Sequence, residues 1–152
     1  MKNTFKIPKT KNCGVYMIFN FNNKKIYVGQ TENLNRRAYQ HLHHLKSGTH
    51  PHKDLLTDYQ NGDMLYFTVL EENKNFTHEE LIHLERIYML SFLEDYCKLY
   101  NEETKEELKD LLYQEMIAPK ITENKKNLQR RFNMPIHHIL LCGEEKITSI
   151  FK

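Results

Sequence analysis

A chain of 152 residues, 39% of them apolar, is long enough for one compact domain with an appended element and too apolar for global disorder. No apolar run approaches bilayer-spanning length, and residues 1–11 lack the apolar centre of a signal peptide, so a soluble, cytoplasmic protein is expected. The net charge of +2 hides a basic–acidic–basic order: residues 1–70 carry ten Lys/Arg against four Asp/Glu, residues 71–115 five against thirteen, and residues 116–152 seven against three.

Basic ends around an acidic middle suit a protein that meets a polyanion on one side, and equally an ordinary solvated surface. Residues 14–19 are rich in strand formers and lead into the turn-like Asn20-Phe21-Asn22-Asn23. Residues 25–29 read as a second strand, so the two form an antiparallel hairpin. Asn33 caps a helix that sets Leu34, Ala38, Leu42 and Leu45 near one face and ends before Ser47-Gly48. A shorter helix over about 53–60 stops at Asn61-Gly62, and residues 65–70 form a third strand.

Thr77-His78-Glu79-Glu80 is a capping box, with Phe76 and Leu81 as its hydrophobic staple, and the helix it opens reaches about Leu93. Another helix, over about 103–117, carries Leu108, Leu111, Leu112 and Met116 on one face and is ended by Pro119. Residues 120–131 are polar and basic, and residues 136–141 and 146–151 read as a final hairpin. The order predicts an α+β fold, a small three-stranded antiparallel sheet flanked by helices, with a C-terminal helical and hairpin extension.

The chemistry-bearing residues fall at fixed distances along this frame. Gly14-Val15-Tyr16 and Tyr27-Val28-Gly29 sit on the paired strands. Downstream of Gly29 come Arg37 and then His41, at i and i+4 of one helix face, with Arg36 competing for the role of Arg37. In the helix opened at Thr77, Glu85 stands between Leu81 and Met89 in one column, with Ile82 and Phe92 beside it. A carboxylate there costs free energy unless a metal, a lysine or Arg86 compensates it. Asn101, in Leu99-Tyr100-Asn101, reads either as support for a site or as the cap of the next helix. His41, His43, His44, His50 and His52 match no zinc spacing, and Cys13, Cys97 and Cys142 are too scattered for a zinc pair or a disulfide framework. All of these histidines except His41 read as exposed groups able to touch phosphate.

The two glycine–tyrosine halves, followed in order by Arg37, His41, Glu85 and Asn101, resemble the GIY-YIG nuclease family, of phage-like, homing or restriction type. The likeness covers residues 13–101 as a catalytic domain and leaves residues 102–152 as an extension. It departs at Gln30, where many members carry lysine. The resemblance implies a metal-dependent endonuclease acting on DNA, with Mg²⁺ or Mn²⁺ on Glu85 polarising a phosphate oxygen and stabilising the leaving oxygen. It implies Arg37 as the phosphate-holding cation, Tyr16 as first choice of general base with Tyr27 its alternative, and His41 as onward proton carrier. Asn101 completes the set. A catalytically silent nucleic-acid-binding module and an RNA nuclease are the alternatives, and a homodimer is compatible with either. In the tail, Lys125, Lys126, Arg130 and Arg131 are expected to hold the phosphate backbone without reading bases.

Overall fold

Strand β1 (Gly14–Asn20) is buried along its whole length, which explains its run of apolar residues without polar alternation. The computed structural model describes residues 5–117 and places β1 at the centre of a three-stranded antiparallel sheet, between β2 (Ile26–Thr31) and β3 (Leu65–Glu72). The period of two along a strand sends alternate β1 side chains to opposite faces, and each face meets its own helices.

On one face Val15, Met17 and Phe19 join Ile26 and Val28 of β2. They pack under Leu81, Leu84, Met89 and Phe92 of α3 (His78–Glu94) and Leu108 of α4 (Lys105–Ile117). On the other face Tyr16 and Ile18 join Leu65 and Phe67 of β3. They pack under Leu34, Ala38 and Leu45 of α1 (Leu34–Ser47), Leu55 of α2 (Lys53–Gln60), and Phe5. Tyr16 and Tyr27 therefore share the α1 face, since Tyr27 pairs with Ile18 across the hairpin.

Local chemistry sets the helix ends. Asn33 accepts from the Arg36 amide at 2.9 Å, Thr77 accepts from Glu80, and Phe76 packs against the cluster that holds Leu81. The carbonyls of Thr10 and Asn12 take the first two amides of α1, so a strap over residues 5–12 holds this helix against the sheet. Thr104, not Asn101, caps α4: the Glu107 amide donates to the Thr104 hydroxyl, and the Thr104 amide donates to the Glu107 carboxylate. On α4, Leu108 is buried while Leu111 and Leu112 are only half-buried, a narrower seam than the predicted face. The predicted final hairpin lies outside the described residues. Among those residues, no helix is long and apolar enough to cross a membrane.

Candidate active site

Tyr16 lies on the buried face of the central strand, only 1% exposed, with its ring stacked on Phe67 at 4.7 Å. Its strand partner is Gly29, and the missing side chain there is what gives the phenol room. A methyl group at Gly29 would sit 2.5 Å from Tyr16 Cζ and against its hydroxyl. Gly14 answers a second close approach, because a methyl there would press on the Glu71 carbonyl and lie 2.7 Å from Leu34 Cδ1. The pairing of β1 with β3 shifts register between Val15 and Tyr16, a bulge at the position where the phenol must be aimed.

Helix α1 brings two side chains to that phenol. Arg37 Nε donates to Tyr16 Oη at 3.2 Å, and His41 Nε2 lies 2.7 Å from the same oxygen. Arg36, the next residue back along the helix, is exposed. His50 differs from the sequence expectation: it is 4% exposed rather than a surface histidine, and its Nε2 lies 2.8 Å from His41 Nδ1. Gly48, left-handed at φ 73°, ends α1 and turns the chain back so that His50 stacks on His41. The Ser47-Gly48 helix stop was the only trace of this reversal in the sequence. His52 joins the row at the edge of Tyr27, ring centroids 4.8 Å apart, while His43 is exposed.

Burial dominates the electrostatics here. It pushes the Tyr16 phenol well above its ordinary range, helped by Tyr27 and Glu85 and opposed by the Arg37 guanidinium. Tyr27 is raised for the same leading reason. Burial, with Arg37 and the neighbouring rings adding to it, holds His41 neutral by pushing it down to about 2. His50 is pushed down to about 4, again by burial first.

Glu85 reaches the site from α3, on the far edge of β2. Its carboxyl is pushed up to about 7 by burial and then by the charge of Glu103, with Arg86 and the Gln30 amide acting the other way. Arg86 itself is bonded to Glu115 of α4. The Gln30 contribution comes from the backbone, so the departure from lysine at this position leaves it intact. Asn101 pins the closing segment: its side-chain amide accepts from Val28 N at 2.9 Å and donates to Val28 O at 2.8 Å. Leu99 bridges to Ile26 in parallel just before it, so Asn101 prolongs a short strand along the β2 edge.

These elements enclose a cavity of about 580 Å³ whose wall includes Tyr27, His52, Lys53, Glu85, Asn101 and Glu103. Tyr16 lies behind Tyr27 rather than on the wall. A half-buried carboxylate raised by its own burial is the donor a hard divalent cation would relieve. Among the described residues, no three His, Cys, Asp or Glu side chains cluster to hold a metal. On the cavity wall, Glu85 is the residue that could hold such a cation. Lys125, Lys126, Arg130 and Arg131 lie outside the described residues.

A family model of the GIY-YIG catalytic domain matches residues 12–101. Among solved structures, the catalytic domain of the homing endonuclease I-TevI is similar at 25% identity and a TM-score of 0.51, covering 60% of this chain and 99% of that one. A point mutant of the catalytic domain of the intron endonuclease I-TevI shows the same fold at 24% identity and a TM-score of 0.52, covering 60% of this chain and 94% of that one. No curated protein matches the chain at a significant level. The small antiparallel sheet, carrying its tyrosines toward an arginine, a histidine and a carboxylate, is the framework of a nuclease. The chain belongs to the GIY-YIG family.

Proposed function

We propose that the chain is a divalent-metal-dependent DNA endonuclease, cutting phosphodiester bonds in the cavity between Tyr27 and Glu85. The observation that carries this reading is the pairing of opposites across one cavity. Tyr27 stands on the cavity wall with Tyr16 and Arg37 behind it, and Glu85 stands on the wall of the same cavity with its carboxyl raised by burial. The similar I-TevI domains are described as belonging to a homing or intron endonuclease, which favours DNA over RNA as the substrate.

Glu85 would hold Mg²⁺ or Mn²⁺, which when bound supplies Lewis-acid polarisation of the scissile phosphate and stabilises the leaving oxygen. Arg37 uses Nε on Tyr16, and its Nη1 donates to the exposed Gln40 Oε1 at 3.3 Å, a long bond that a phosphate oxygen would replace, so that developing charge is offset. Tyr16 is assigned as the base in its ionised form: once its own proton has left past Tyr27 to water in the cavity, the phenolate would take the proton of the attacking water. A phenol held above its ordinary range is a base only once positive charge has been added, so Arg37 and the cation must both be in place. Asn101 fixes the β2 edge on which Tyr27 stands. Every one of these groups comes from a single copy of the chain, so the proposal does not call on a homodimer. Beyond residue 101, the extension with Lys125, Lys126, Arg130 and Arg131 is assigned to holding the duplex backbone.

Incubating the full chain with supercoiled plasmid and with a structured RNA, each in Mg²⁺, Mn²⁺ or EDTA, tests the reading. Nicked or linear plasmid in the metal arms alone supports it. Cutting confined to RNA, or plasmid binding without any cutting, replaces it by one of the two alternatives.

A further inference from the structure

The row of rings behind Tyr16 ends on a backbone amide, and that amide sets the direction of every hydrogen bond in the row. The His52 N–H donates to His50 Nδ1 at 3.1 Å, and a backbone N–H can only donate. His50 therefore accepts at Nδ1, and as a neutral ring it carries its proton on Nε2. That Nε2 lies 2.8 Å from His41 Nδ1, so His50 is the donor and His41 the acceptor. His41 in turn carries its proton on Nε2, 2.7 Å from Tyr16 Oη. Arg37 Nε–H supplies a second donor to the same oxygen at 3.2 Å. Both acceptor positions of the phenol are filled, and its own proton is left for the side facing Tyr27, whose ring lies 6.3 Å away.

We propose that His50 is a positioning residue: anchored by the His52 amide, it locks His41 in the Nε2–H form. Tyr16 is thereby held by two donors, with its proton turned toward Tyr27 and the cavity. The opposite arrangement fails at one point. For His41 to accept from Tyr16 at Nε2, it would have to carry its proton on Nδ1, against His50 Nε2. His50 would then need a proton on Nδ1, facing the His52 N–H donor to donor. The neutral row thus runs one way. On this proposal His41 is a donor that favours the phenolate oxygen, in place of the onward proton carrier that the resemblance implies. The catalytic consequence rests on the nuclease reading, whereas the proton positions do not.

Two-bond ¹H–¹⁵N correlation spectra of the ¹⁵N-labelled full chain, without metal or DNA, read which ring nitrogen of each neutral histidine carries the proton. The expected result is Nε2–H for both His41 and His50. His50→Gln keeps a donor toward His41 and should preserve the His41 pattern and most of the plasmid-nicking rate. His50→Leu removes the donor, so His41 should lose its single tautomer and nicking should fall on the order of tenfold, the scale seen when an orienting partner is removed. Nδ1–H on His41 in the unaltered chain overturns the proposal. So does a folded His50→Leu variant that keeps both the single Nε2–H form and full nicking. Should His50→Leu not fold, the spectrum of the unaltered chain still decides. A chain that cuts no nucleic acid overturns the nuclease reading and leaves the tautomer result standing by itself.

Discussion

Replacing Glu85 with glutamine should stabilise the metal-free protein at alkaline pH. Burial, then the charge of Glu103, moves this carboxyl from its ordinary value of 4.5 up to about 7. At about 1.4 kcal/mol per pKa unit, keeping it ionised in the fold costs up to about 3–4 kcal/mol, and partial solvent access brings the range to about 1–3 kcal/mol. Between pH 4.5 and about 7 the folded chain binds a proton that the unfolded chain releases, so this contribution declines as pH rises. The buried rings of His41 and His50 act in the opposite sense. Pushed down to about 2 and about 4, they lose stability as pH falls below their ordinary 6.5. The difference between the Glu85→Gln variant and the unaltered chain cancels that second slope. Urea unfolding in EDTA should show the variant more stable by about 1–3 kcal/mol near pH 8, with most of the gap gone near pH 5. Mg²⁺ or Mn²⁺ added near pH 8 should then stabilise only the unaltered chain, because a ligand of the folded state raises its stability by mass action. A gap that does not change with pH, or a variant that gains equally from the metal, would refute the assignment of this carboxylate.

Arg37→Ala should lower the plasmid-cutting rate about 10²- to 10³-fold, the scale for losing one group that stabilises transition-state charge, whereas Arg36→Ala should mainly weaken binding. Comparable rate losses in single-turnover assays of the two variants would contradict this. Gly29→Ala should press its methyl group onto the Tyr16 ring and displace the phenol from His41 and Arg37. Thermal melting should report an overpacking loss of about 1–3 kcal/mol, and an unperturbed melting curve with full activity would contradict the close approach. Asn101→Ala removes two hydrogen bonds to Val28 and should cost about 1–3 kcal/mol in urea titrations, with hydrogen exchange rising along β2 first. Changing Lys125, Lys126, Arg130 and Arg131 to alanine should shallow the log-affinity against log-salt slope by close to one unit for each lost phosphate contact. An unchanged slope would leave those residues no part in binding.

Much of the architecture was legible because it rests on periodicity and local signals. The unbroken apolar run of β1, the Asn33 and Thr77 caps, and the helix phase that aligns Arg37 with His41 all act over a few residues. Glu85 was readable for the same reason, as a carboxylate interrupting an apolar column of α3. His50 was not, since its place depends on how sharply Gly48 reverses the chain and on a ring nine positions earlier in α1. Asn101 was ambiguous because a cap and a strand clamp use the same side chain, and Thr104 fills the first role only three residues further on. The knot of Asn20 with Asp63 and Tyr100, which ties the hairpin turn to the closing segment, spans most of the domain and left no local mark. The narrower seam of α4 has a similar cause, because what that helix covers is decided by α3 and not by its own pattern.

The most direct test of the central claim compares the unaltered chain with Glu85→Ala on supercoiled plasmid in Mg²⁺, at equal concentration and with both shown to be folded by circular dichroism. Nicked and linear products should form with the unaltered chain, vanish in EDTA, and be absent with Glu85→Ala, while both proteins retard the plasmid to a similar extent. Undiminished cutting by a folded Glu85→Ala variant would contradict the account.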